Sequence, residues 1–138
     1  MIEVAVTDRM LADATVAGLV TDRVYPQRVA GGMLTFPRVV YQADDDNTQM
    51  CFDGPSALRE QRVTFSAQAL SYESAESLAS AVIALFDGQM GDWSSITVQG
   101  AFLAGGPRRD CFPQAELGDG VMVYVAEIDV DFWFTRDS

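Results

Sequence analysis

Residues 121–134 read Val-Met-Val-Tyr-Val-Ala-Glu-Ile-Asp-Val-Asp-Phe-Trp-Phe, and the predicted fold is built around this segment. In an extended strand, successive side chains point to opposite faces. One face of this segment, the acidic face, carries a run of valines followed by Glu127, Asp129 and Asp131. The other face is apolar throughout, with Met122, Tyr124, Ala126, Ile128, Val130, Phe132 and Phe134. We therefore predict a strand that buries one face and turns the acidic half of the other toward water, a cation or another subunit.

Helical and extended patterns divide the rest of the chain into short elements. Apolar residues spaced by four predict a helix over 2–12, and a second helical turn follows at 15–20. The most regular helix is predicted at 72–87, with Ser74 as its N-cap and Gly88 as its C-cap. Further strands are predicted at 23–26, 38–43, 58–70 and 94–103, and a weaker strand or extended loop at 108–117, after a break at Gly105-Gly106-Pro107.

This order of elements defines the predicted fold class. Helix, three strands, helix and three strands, joined mostly by hairpins, indicate an α+β protein. We predict a single domain over 1–138, with a mainly antiparallel sheet and two helices packed on one face.

Composition and charge restrict the classes of function. Twenty acidic residues face nine basic ones, giving a net charge of −11, and the chain has no lysine. Such a charge opposes DNA binding, which depends on neutralising phosphates, but it does not prevent DNA from passing the surface. No apolar run is long enough for a membrane span, and the N-terminus lacks the basic start of a secretory signal. We therefore expect synthesis and folding in the cytoplasm, with Cys51 and Cys111 as free thiols.

The residue inventory also opposes catalysis. The chain contains no histidine, which removes the usual general base and the commonest transition-metal ligand. Without lysine there is no Schiff-base or phosphate-loop lysine. We predict a protein that is not an enzyme, with no cofactor and no metal site.

Two acidic groups are candidates for contact rather than chemistry. Asp44, Asp45, Asp46 and Asn47, with Asp53, fall in a predicted polar loop over 44–55, which we interpret as a partner-contact loop. The segment lacks the spacing, glycine and distal glutamate of a calcium loop.

The second acidic group is the carboxylate ladder of the last strand. Glu127, Asp129 and Asp131 lie about 7 Å apart, too far to hold one cation without help from a neighbouring strand. We interpret them as residues of a channel lumen or of a subunit interface.

Four arginines are the candidate cationic contacts: Arg59, Arg62, Arg108 and Arg109. They could pair with this chain's own acids, an arrangement that contributes little stability at a surface. They could equally serve an interface with an acidic neighbour, for which a planar guanidinium is well suited.

Four segments together resemble the small phage tail-terminator, or tail-completion, family of siphophages and gene transfer agents. The resemblance extends over nearly the whole chain, and a final strand after an Asp-Gly turn completes it. The chain departs from the family pattern at 49–56 and in the length of 105–118. The matching segments are 22–26 (Asp-Arg-Val-Tyr-Pro), 36–41 (Phe-Pro-Arg-Val-Val-Tyr), 61–69 (Gln-Arg-Val-Thr-Phe-Ser-Ala-Gln-Ala) and the alanine-rich helix 74–85.

The resemblance implies a virion protein of the tail or neck, assembled in the host cytoplasm. Such a subunit forms a ring, typically hexameric, that caps the tail tube, stops its polymerisation and meets the head-side connector or adaptor. Its implied partners are copies of itself, the major tail tube protein and that connector, while DNA passes through without specific binding. The alternatives are a head-completion or adaptor protein of the same neck, or a small α+β ligand-binding or enzymatic subunit.

Overall fold

The computed structural model describes residues 2–20, 23–26, 36–43, 47–51, 54–93, 96–113, 118 and 120–136. These residues form three helices and seven strands in one mixed sheet. The helices are α1 (Ile2–Ala12), α2 (Ala14–Val20) and α3 (Tyr72–Phe86). The strands are β1 (Val24–Pro26), β2 (Arg38–Ala43), β3 (Asn47–Cys51), β4 (Gly54–Ala69), β5 (Gly91–Trp93), β6 (Ile96–Pro113) and β7 (Met122–Arg136).

The sheet has the order β1-β2-β4-β7-β6-β5 and is antiparallel except for the short parallel pair β1 and β2. Strand β7, which contains the acidic and apolar faces described above, lies between β4 and β6, the two longest strands of the sheet. Strands β2 and β3 follow one another along the same side of β4. The α+β class and the mainly antiparallel sheet are therefore confirmed.

The core lies between the helices and one face of the sheet. From β7 it takes the predicted apolar alternation, with Ile128, Val130, Phe132 and Phe134 each at most 1% exposed. Phe86 of α3 packs on this floor, its ring centroid 5.5 Å from that of Phe132. Burial of this apolar surface is the main contribution to folding.

The helices differ from the prediction in their number and in both caps of α3. The N-terminal pair is two separate helices, since Asp13 ends α1 and its carboxylate accepts a hydrogen bond from the Val16 N–H (3.0 Å). The predicted N-cap Ser74 is wrong: Ser71 has the extended backbone of a cap, and its Oγ accepts the Ser74 N–H. The predicted C-cap Gly88 is one residue late: Asp87 is the C-cap, and Gly88 follows it with φ +76°, the left-handed conformation found after many helices.

Two predictions about loops are also wrong. The segment 44–55 is not one loop, because Asn47–Cys51 forms β3 and pairs with the start of β4, which begins at Gly54 rather than at 58. The expected break at 105–107 is absent as well. Strand β6 runs on to Pro113, and register shifts near Val98, Leu103 and Gly105 absorb the irregular residues while pairing with β7 continues.

Candidate functional site

The face of the sheet that carries no helix bears a compact group of charged side chains, which we call the charged cluster. It is formed by Glu127, Asp129 and Asp131 of β7, Arg62 and Thr64 of β4, and Arg108 of β6. Strand register builds the group, because residues directly opposite each other on neighbouring strands place their side chains on the same face. Arg62 lies opposite Asp131, Thr64 opposite Asp129 and Arg108 opposite Glu127.

Each carboxylate of the charged cluster has a partner in the same chain. Arg62 makes a two-point contact with Asp131, with Nε–Oδ1 2.7 Å and Nη2–Oδ2 3.2 Å. Arg108 bridges two acids, with Nη2 2.7 Å from Glu127 Oε1 and Nη1 2.8 Å from Asp129 Oδ2. Two-point guanidinium–carboxylate contacts of this kind fix geometry as well as charge.

Asp129 is the most enclosed of the three carboxylates in the cluster. Its side chain is 14% exposed, and its Oδ1 accepts a further hydrogen bond from Thr64 Oγ1 at 2.8 Å. The hydrogen bond from Arg108 lowers the pKa of Asp129 below its ordinary value, and the Thr64 bond adds to the effect. The hydrogen bonds to Asp129 and Glu127 raise the pKa of Arg108. Three acids and two arginines leave the cluster with a formal charge of −1.

The Arg109 side chain lies on the face of the sheet that the helices cover. It lies opposite Ala126, whose side chain faces the helices, and its guanidinium binds the Glu76 carboxylate in the first turn of α3. The bond lowers the pKa of Glu76 and raises the pKa of Arg109. The Arg108-Arg109 doublet therefore joins β6 to β7 on one face and to α3 on the other.

A second polar group continues the helix-free face toward the edge of the sheet. Arg38 of β2 is only 9% exposed, and its Nε donates to Gln68 Oε1 at 2.8 Å. Gln68 donates in turn to Ser66 Oγ at 3.2 Å. Burial lowers the pKa of Arg38. Sequence reasoning missed this group, although the alternation of polar residues in 62–68 was a signal that they share one face.

A cleft of about 450 Å³ is lined by members of both polar groups. Its lining combines charged, polar and apolar side chains: Ser66, Gln68, Arg108, Arg109, Asp110, Phe112, Val125 and Glu127. Such a mixture can receive a side chain or a loop of another protein. Among the described residues, no group of three or more acids or cysteines is arranged to hold a metal ion.

The structure brings together some of the sequence-predicted site residues and separates others. Arg62, Arg108 and the three acids form one cluster, while Arg109 lies across the sheet from it. Arg59 is on β4 opposite Phe134, away from the cluster, and it too has an interaction partner.

The predicted partner-contact loop is only partly within the described residues. Asn47 belongs to β3. Asp44, Asp45, Asp46 and Asp53 lie outside the described residues. Of the two cysteines, Cys111 is a free and exposed thiol, and the side chain of Cys51 is likewise outside the description.

Comparison with known proteins gives a structural match and no match of sequence. No family model matches the chain, and no curated protein does. A chain in the virion of a native gene transfer agent particle has a similar structure, with a TM-score of 0.65 at 20% sequence identity. The match covers 94% of this chain and 91% of that one. In the described residues, no helix is long and apolar enough to cross a membrane.

Proposed function

We propose that this chain is a structural protein of a virion, one subunit of a ring in the neck between head and tail. The ring, of six subunits, caps the tail tube, ends its polymerisation and contacts the head-side connector. DNA passes through its lumen without specific binding. The role is one of assembly and not of catalysis.

The observation that carries this proposal is the end-to-end match of fold with a chain of a gene transfer agent virion. Because 94% of this chain and 91% of that one superpose, the likeness extends over the complete architecture and not over one motif. The resemblance of four sequence segments to tail-terminator proteins points to the same kind of particle. A fold alone does not fix a function, so the ring and its place in the particle require their own test.

The charge of the chain suits a channel for DNA. A net charge of −11 repels phosphates, so the ring would not retain the DNA that moves through it. The charged cluster itself contributes only −1, because Arg62 and Arg108 neutralise most of its acids. We propose that the helix-free face, with Glu127, Asp129 and Asp131, borders the lumen, and that the repulsion comes from the subunit as a whole.

The direct test is a mass measurement of the purified chain, alone and mixed with growing tail tubes of its cognate tube protein. We expect a species of ring mass that binds one end of each tube and stops its growth. Electron microscopy of the mixture would give tube lengths and the position of the cap. A chain that stays monomeric and leaves tube growth unchanged would contradict the proposal.

A head-completion or adaptor role in the same neck is supported by the same structural match. A cryo-EM map of the assembled particle distinguishes the two. A ring directly on the last tube layer supports tail termination, whereas a ring on the connector side, separated from the tube by another protein, supports the adaptor.

A further inference from the structure

Strand β6 leaves a long edge of the sheet open. It pairs with β7 on one side along its length, but on the other side β5 covers only Ile96–Val98. No other described strand pairs with the remaining part of β6, up to Pro113. An open edge presents unpaired N–H and C=O groups, which a strand of a second molecule can bind.

At residues 101–103, this edge is covered by the residues that follow α3. The Gly88 N–H donates to the Ala101 carbonyl at 2.6 Å, and the Asp87 carboxylate accepts the Leu103 N–H at 2.9 Å. A carboxylate at the C-terminal end of a helix is unfavourable, because the helix dipole is negative there. The bond to β6 offsets that cost and gives Asp87 a reason to be at this position.

At residues 107–113, features of β6 itself protect the edge. The Asp110 carboxylate accepts the N–H of the next residue, Cys111, at 2.8 Å. Pro107 and Pro113 have no N–H to offer. Register shifts on either side of Gly105 also interrupt the regular spacing that a second strand would need.

We propose that Asp87 and Asp110 prevent the β6 edge from pairing with the same edge of a second copy of this chain. Both carboxylates accept hydrogen bonds from backbone N–H groups that would otherwise be free to pair with an added strand. Copies of this chain, in a ring or otherwise, then meet through side-chain surfaces and not by extending the sheet at β6. The inference concerns the isolated chain and does not require the proposed function.

The test compares Asp87→Ala/Asp110→Ala with Asp87→Asn/Asp110→Asn. Both variants lose two negative charges, but only asparagine keeps a side-chain oxygen that can accept the backbone N–H. We expect the alanine variant to associate at about a tenfold lower concentration than the wild type in analytical ultracentrifugation, and to bind thioflavin T. The asparagine variant should behave as the wild type.

Cys111 provides a local readout of the contact. In a Cys51→Ser background, mild oxidation of the associated alanine variant should give disulfide-linked dimers through Cys111, since that thiol is exposed on the edge. Should the double alanine variant lose its circular dichroism spectrum, the single Asp110→Ala variant decides the question, because Asp110 is exposed and takes no part in the contact between Asp87 and β6.

Two results would overturn the inference. Equal association of the alanine and asparagine variants would show that charge and not the capped N–H groups controls association. Loss of a wild-type ring of fixed mass in the alanine variant alone would show that the edge belongs to the ring interface, and it would leave the proposed function standing.

Discussion

At the scale of single residues, the linkage between Asp129 and Arg108 makes stability depend on pH. Because the pKa of Asp129 is lowered in the folded chain, its contribution is complete above the ordinary value of 3.8 and is lost as pH falls through the folded value. We expect Asp129→Asn to reduce the free energy of unfolding by about 1.5 kcal/mol at neutral pH, with the difference shrinking below pH 3.8. Urea unfolding at a series of pH values measures this.

The control for this prediction is Glu73→Gln, which removes an exposed carboxylate of α3, on the other side of the sheet from the charged cluster. It should change stability by less than about 0.5 kcal/mol. A difference between Asp129→Asn and the wild type that stays constant from neutral pH down to strongly acid conditions would contradict the assigned linkage.

The acids of the charged cluster could be predicted from the sequence, but their partners could not. A period of two is local, so Glu127, Asp129 and Asp131 were placed on one face from their spacing alone. Arg62 is 69 residues from Asp131, and only the register of β4 against β7 brings them together. Arg108 reaches Glu127 because irregular pairing next to Gly105 shifts it into register, which no local pattern encodes.

At the scale of elements, the start of α3 depends on one hydroxyl group. Ser71 Oγ accepts the Ser74 N–H and satisfies a donor that the first turn leaves free. We expect Ser71→Ala to lower the free energy of unfolding by about 1 kcal/mol. Thermal unfolding measures the change, and Ser74→Ala is the matched control, since Ser74 takes part in the cap only through its backbone N–H.

The pair also explains why sequence placed the cap three residues late. Ser71 and Ser74 both precede the apolar face of α3, and each is a favourable capping residue, so composition does not choose between them. The extended backbone of Ser71, set by the exit from β4, makes the choice. Equal effects of Ser71→Ala and Ser74→Ala would show that the hydroxyl does not cap the helix.

The continuity of β6 depends on Gly106. This residue has φ +93°, and a Cβ added to it would lie 2.5 Å from the Glu127 carbonyl oxygen of β7. We expect Gly106→Ala to destabilise the chain by about 2 kcal/mol, from the backbone conformation and the clash together. Gly18→Ala in α2, where nothing lies within 4 Å, should instead stabilise it by about 0.5 kcal/mol. Urea unfolding of both variants compares them directly.

Gly106 also accounts for the wrong prediction of a break in β6. Gly-Gly-Pro is typical of a loop, because each of its residues weakens a regular strand. Here the glycine lets β6 approach the backbone of β7 closely, so the irregular residues form a bulge within the strand. Unchanged stability of Gly106→Ala would mean that the two strands separate at this point without cost.

At the scale of the whole molecule, the fold class was predictable because it depends on patterns that local chemistry sets. The apolar alternation of β7 and the amphipathic face of α3 require a sheet with helices on one side. The place of β3 was not predictable, since its polar composition is typical of a loop and its pairing with β4 is a tertiary contact.

The paired charges of the cluster would affect the passage of DNA through the proposed ring. Replacing Glu127, Asp129 and Asp131 by glutamine, asparagine and asparagine leaves Arg62 and Arg108 without carboxylates, so the cluster changes from −1 to +2. If the helix-free face borders the lumen, we expect assembled particles with normal rings but slower DNA release. The delay should shorten as salt is raised, because each phosphate contact to an arginine is salt-dependent. Time-resolved DNA release at several ionic strengths measures it.

Adding Arg62→Gln and Arg108→Gln to that variant separates charge from structure. The five-substitution variant has a neutral cluster and the same loss of salt bridges. If it releases DNA normally while the three-substitution variant releases DNA slowly, the delay is caused by unpaired arginines facing DNA. Slow release from both variants, or from neither, would show that the cluster does not border the lumen. Loss of rings in both would place the helix-free face in the subunit interface, the other role that its acids and arginines suit.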